Sequence, residues 1–151
     1  GKKRFSEGSG EMKIYSFGAE TAPVILLLPG TCCHWKSNFA KVIPLLADTY
    51  HVLCVSYDGF DKTEETEFTT MLEETEKIEN YIREHFSGHI RAAYGCSLGG
   101  SFVGLLTARK KIHIDYGILK CSAAHGHILR SEAVEISFTL TLLRLCPMEL
   151  M

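Results

Sequence analysis

Gly95-Cys96-Ser97-Leu98-Gly99, followed by Gly100, has the spacing G-x-S-x-G. A buried-type strand precedes it and a helical pattern follows, which is the context this motif requires. A serine on a sharp strand-to-helix turn projects its hydroxyl from the end of a sheet. Such a turn strains the serine's backbone and leaves no room for side chains two positions to either side, which fits Gly95 and Gly99. A helix starting at Leu98 aims its free N–H groups and positive dipole end at the same point. The chemistry this allows is attack of Ser97 on a carbonyl, with the N–H of Leu98 holding the oxyanion. The plainer reading is a glycine-rich turn with a capping serine. That reading leaves Pro29-Gly30-Thr31 unexplained. This segment follows another buried strand, where a second oxyanion donor would have to lie, and the N–H of Thr31 is the expected donor.

The elements that must hold these residues follow from periodicity. Lys13 to Phe17 reads as a short strand, and Gly18 to Pro23 as a turn. Val24 to Leu28 (VILLL) is continuously apolar, as in a strand buried on both faces. Residues 35–47 read as one helix, with Trp35, Phe39, Val42, Ile43 and Leu46 on a single stripe. His51 to Ser56 is a second buried strand. Phe68 to Phe86 is an amphipathic helix whose apolar side carries Phe68, Met71, Leu72, Thr75, Ile78, Ile82 and Phe86. Glu67, Glu73, Glu74, Glu76 and Glu79 are assigned to its solvated face. Ile90 to Tyr94 is a third strand, Phe102 to Arg109 a small-residue helix, and Ile112 to Leu119 a fourth main strand. This alternation predicts an α/β fold: a mostly parallel sheet with helices on both faces, joined by right-handed crossovers.

With these segments in place the sequence resembles the α/β-hydrolase superfamily over about residues 13–120. VILLLPGTCCHW is similar to the oxyanion-loop region, where many members carry His-Gly in place of Pro29-Gly30. HVLCVSYDGFD resembles the next strand and its loop, and AAYGCSLGGSF the nucleophile elbow. The resemblance implies a serine hydrolase that cleaves an ester, thioester or amide through an acyl-enzyme on Ser97. It implies an oxyanion hole from Leu98 and Thr31, a small acyl substrate, and no cofactor or metal.

The family's order is serine, then acid, then histidine. Neither partner is identifiable here. Asp115 lies early in its strand, whereas catalytic groups belong at strand carboxyl ends. His113 sits inside a strand and reads as structural. His125 and His127 follow the fourth strand and are weak candidates for the base; as a metal pair they lack further ligands at suitable spacing. Asp58 and Asp61 lie beyond a strand's carboxyl end but precede Ser97, and loop capping is the simpler role. Cys96 is expected to pack, Cys32 and Cys33 to be loop and core residues, and His34-Trp35 to anchor the first helix.

Three segments result: a leader or tag-like stretch at 1–11, an α/β-hydrolase-like core at 12–120, and an atypical tail at 121–151. Residues 121–130 show no clear period, and Val134 to Leu142 alternates at period two. The expectation is a fold incomplete at its C-terminus, with a tail truncated or read out of frame. Such a fragment exposes a sheet edge and is prone to self-association. The alternative function is a catalytically inactive hydrolase-like fragment or pseudoenzyme lacking the acid and histidine.

Composition sets the outer bounds. The chain has 151 residues, 46% hydrophobic and 23% charged, with 16 basic against 18 acidic residues. There is no basic excess to favour nucleic acid, and the apolar content argues against disorder. The longest apolar run, Val24 to Leu28, is far short of the ~20 residues of a membrane span. The six cysteines form no secreted-type framework, so a cytoplasmic setting is expected. GCSLGG is neither a dinucleotide-binding fingerprint nor a P-loop.

Overall fold

The computed structural model describes residues 3–5, 12–30, 35–59, 68, 70–120 and 126–130. Strands β1 (Lys3–Phe5), β2 (Lys13–Phe17), β3 (Val24–Leu28), β4 (His51–Ser56), β5 (His89–Cys96), β6 (His113–Lys120) and β7 (Gly126–Arg130) form one sheet. Its spatial order is β1-β2-β4-β3-β5-β6-β7. β4, β3, β5 and β6 are mutually parallel, while β1, β2 and β7 pair antiparallel. The helices are α1 (Trp35–Phe39), α2 (Ile43–Ala47), α3 (Met71–Phe86) and α4 (Leu98–Arg109). The predicted α/β architecture is the one observed.

The two faces of the sheet follow from strand alternation. Ile25 and Leu27 of β3, with Val52 and Cys54 of β4, pack with Phe39, Val42, Ile43 and Leu46 beside α1 and α2. Leu26, Leu28, Leu53 and Val55 pack with Ile78 and Ile82 of α3 and with Phe102, Val103 and Leu106 of α4. Every residue of β3 and β4 is buried, which is why both read as unbroken apolar runs. The chain leaves β3 toward β4, then returns past β3 to reach β5. Crossovers of one hand running in opposite directions put their helices on opposite faces, and that is the observed placement.

Three local expectations differ from the structure. The helix expected over 35–47 is two five-residue helices. Pro44 cannot donate to the carbonyl four residues back, but it fits the first turn of α2. The stripe Phe39, Val42, Ile43, Leu46 is nonetheless buried. The acidic side of α3 is not wholly solvated: Glu74 and Glu79 are buried, whereas Glu73 and Glu76 are exposed. The Nε–H of Arg109 is shared between the two carboxylate oxygens of Glu79, at 2.9 and 3.2 Å. On the apolar side Leu72 is exposed. Finally, residues 126–130, within a segment without a clear sequence period, form strand β7 against β6. The alternating stretch 134–142 lies outside the described residues.

Helix α3 starts three residues later than its apolar pattern suggests. The hydroxyl of Thr70 accepts from the Glu73 N–H at 3.1 Å, so the cap fixes the start. Ser87 in the left-handed region and Gly88 at φ 73° end it.

Candidate active site

The order of the sheet reverses between β3 and β5. In open α/β sheets the crevice at the carboxyl ends of such strands is the usual ligand site. β3 runs there into Pro29-Gly30, and β5 into Ser97. Ser97 caps α4 with φ 53° and ψ −112°, and its side chain makes no capping hydrogen bond. The hydroxyl is therefore not used in the usual role of a capping serine, and the residue is exposed. Its carbonyl accepts from the N–H of Gly100 at 2.9 Å and of Ser101 at 3.3 Å. The N–H of Leu98 lies in the first turn of α4, where the helix ladder supplies no acceptor.

The two flanking glycines are steric necessities. A Cβ on Gly95 would lie 2.0 Å from the carbonyl oxygen of Gly99. One on Gly99 would lie 2.0 Å from that of Leu28. The turn is thus pressed against the end of β3, and this contact brings Pro29-Gly30 to the serine. A Cβ on Gly30 would lie 3.8 Å from Cβ of Ser97.

Two side chains that the sequence did not single out hold that loop. Asn38, between α1's first turn and its end, accepts from the Gly30 N–H through Oδ1 at 3.0 Å. Tyr57, just past β4, donates its hydroxyl to the carbonyl of Pro29 at 2.9 Å and stacks on Phe102, ring centres 4.7 Å apart. Burial pushes the Tyr57 hydroxyl well above its ordinary pKa, with further upward contributions from Cys96 and Glu74, so it stays a donor. The available signal for Tyr57 was a polar-tipped aromatic at the end of a fully apolar strand. For Asn38 there was none, because its partner is a backbone group.

The other singled-out residues fall into separate places. Thr31, Cys32, Cys33, His34, Asp61, Cys121 and His125 lie outside the described residues. His127 is in β7, opposite Leu119 of β6, which in turn pairs with Gly95. At the ordinary strand spacing this puts its backbone about 10 Å from that of Gly95, at the same end of the sheet as Ser97. Asp115 and His113 stand at the opposite end, paired across to the start of β5. His113, the first residue of β6, is exposed, with Nε2 3.0 Å from Asp115 Oδ1. Asp58 is buried, and it does more than cap a loop. Its carboxylate pairs with Lys77, and its N–H donates to Glu74 Oε2 at 3.3 Å. Burial first, and the neighbouring Asp58 second, raise the Glu74 carboxyl to about 7. Cys96 is half-buried against the α1–α2 side of the core, and Cys54 is fully buried.

A family model described as the alpha/beta hydrolase fold matches residues 23–140. Among solved structures the chain is similar to an alpha/beta hydrolase family protein from Desulfitobacterium hafniense (26% identity, TM-score 0.67, covering 71% of this chain and 43% of that one). It is also similar to 2-hydroxy-6-oxo-6-phenylhexa-2,4-dienoate hydrolase from Rhodococcus sp. strain RHA1 (23% identity, TM-score 0.62, 78% and 44%). A third is a carboxylesterase structure from the thaumarchaeon Nitrososphaera gargenis (16% identity, TM-score 0.63, 78% and 44%). The chain has no significant match among curated protein sequences. It spans less than half the length of these three structures. With the elbow turn, the switch-point position and a family match over more than half of its residues, the chain belongs to the alpha/beta hydrolase fold family.

Proposed function

We propose that the whole protein is a serine hydrolase that cleaves an ester, thioester or amide of a small acyl compound through an acyl-enzyme on Ser97. The observation that carries this reading is the backbone of Ser97: a left-handed φ of 53° at a strand-to-helix turn, with a hydroxyl that makes no capping bond. Strain of this kind persists only where the surroundings enforce it, and it is concentrated at functional sites.

In the proposed reaction Ser97 Oγ attacks the carbonyl carbon while its proton passes to a base. The leaving group departs with that proton, and water then hydrolyses the acyl-serine by the same route. The oxyanion is assigned to the N–H groups of Leu98 and Thr31. Gly30 is a poor donor for it, since its N–H already serves Asn38. The base is assigned to the stretch after β6, where His127 has a register position at the Ser97 end of the sheet. No acid is assigned. Asp115 is excluded by its place at the opposite end, and Asp58 by its engagement with Lys77 and Glu74.

Turnover of short-chain chromogenic esters and thioesters by the full chain tests the reading. Hydrolysis that Ser97→Ala abolishes supports it. Hydrolysis that survives in Ser97→Ala places the reaction elsewhere, and a folded chain inert toward all of them favours the inactive alternative.

A further inference from the structure

Four charged or imidazole side chains meet at the amino ends of β5 and β6, far from Ser97. His89 and His113 are direct partners across the two parallel strands. Arg91 and Asp115 stand two residues further along, so all four project from one face. His89 Nε2 lies 2.8 Å and His113 Nε2 3.0 Å from the same oxygen, Asp115 Oδ1. The second oxygen, Oδ2, is 3.3 Å from Nε of Arg91. One ligand atom from each of His89, His113 and Asp115 lies within 4.8 Å of the others.

We propose that His89, His113 and Asp115 form a binding site for a divalent transition metal of the zinc class. Two imidazoles and a carboxylate suit such an ion, and water completes the coordination. Ligand atoms on a tetrahedral ion with bonds of about 2.0–2.2 Å stand about 3.3 Å apart. The two histidine–carboxylate contacts are therefore a few tenths of an ångström from the required spacing. Both imidazoles are more than half exposed, so their rings can adjust and the ion can enter. Arg91 orients the carboxylate by holding Oδ2, which leaves Oδ1 toward the histidines. Its positive charge also limits affinity, so the site is expected to be reversible. A metal here ties the start of β5 to the start of β6 and stabilises the folded chain by mass action.

Zinc chloride titrated into the full chain by calorimetry tests this, with cobalt(II) absorption identifying the ligand type. One equivalent is expected, and binding is expected to weaken roughly tenfold or more in His113→Ala and in Asp115→Asn. The cobalt complex is expected to show a visible d–d band without thiolate charge transfer. Three results would overturn the proposal: no binding by the wild-type chain, binding unchanged in both variants, or a thiolate band at one equivalent, which would place the ion on cysteine. If either variant fails to fold, His89→Gln and His113→Gln at these exposed positions take its place, and binding that both leave unchanged overturns the proposal.

Discussion

Ser97 holds a conformation that costs a non-glycine residue about 1–3 kcal/mol. Ser97→Gly is therefore expected to be more stable than Ser97→Ala by about 1 kcal/mol, the reverse of the order inside an ordinary helix. Urea denaturation of the two variants measures this. Gly95→Ala and Gly99→Ala are expected to lower the denaturation midpoint strongly, by about 3 kcal/mol or more in stability, because the atoms they would strike are backbone. At this scale the sequence was highly legible. G-x-S-x-G encodes a steric demand, and the steric demand is met at both glycines. What it concealed was the contact of Asn38 with the Gly30 N–H, a backbone partner that leaves no side-chain pattern.

Helix α3 carries two buried acids: Glu74, between Asp58 and Lys77 of its own helix, and Glu79, held from α4. Glu79 is 1% exposed and is held by Arg109 at the end of α4. Arg109→Ala would leave that carboxylate buried without its cation, and a loss of about 3 kcal/mol is expected in thermal or chemical denaturation. Glu74 behaves differently. Its folded-state pKa of about 7 exceeds the ordinary 4.5, so the folded chain binds the extra proton between these values. Its contribution to stability is full below about pH 4.5 and is lost as pH rises through 7. Glu74→Gln is expected to remove this fall, so the stability gap between variant and wild type should narrow or invert from pH 5 to pH 8. A gap independent of pH would contradict the assignment. Periodicity showed that α3 exists and which side is apolar. It could not show that Glu74 and Glu79 are buried, since Asp58 and Arg109 lie 16 and 30 residues away. Pro44 did signal the break between α1 and α2, but the apolar stripe runs through that break and masked it.

Across the whole molecule, the continuous apolar strands made the parallel core readable, and with it the place of Ser97 at the point where strand order reverses. β7 was not readable, because a five-residue antiparallel strand outside the helix-strand alternation has too little length for a period to stand out. Among the described residues, β1 and β7 are the terminal strands of the sheet. Open edges pair readily with other chains, so concentration-dependent association is expected in sedimentation velocity. A single species across a wide concentration range would contradict that. No helix among the described residues is long and apolar enough to cross a membrane.

Activation of Ser97 as a nucleophile is read by covalent labelling with a fluorophosphonate, comparing the folded wild-type chain with Ser97→Ala. One modification per chain is expected, on Ser97, and it disappears in the variant. A folded, unlabelled wild-type chain, or labelling that persists in Ser97→Ala, would contradict this activation.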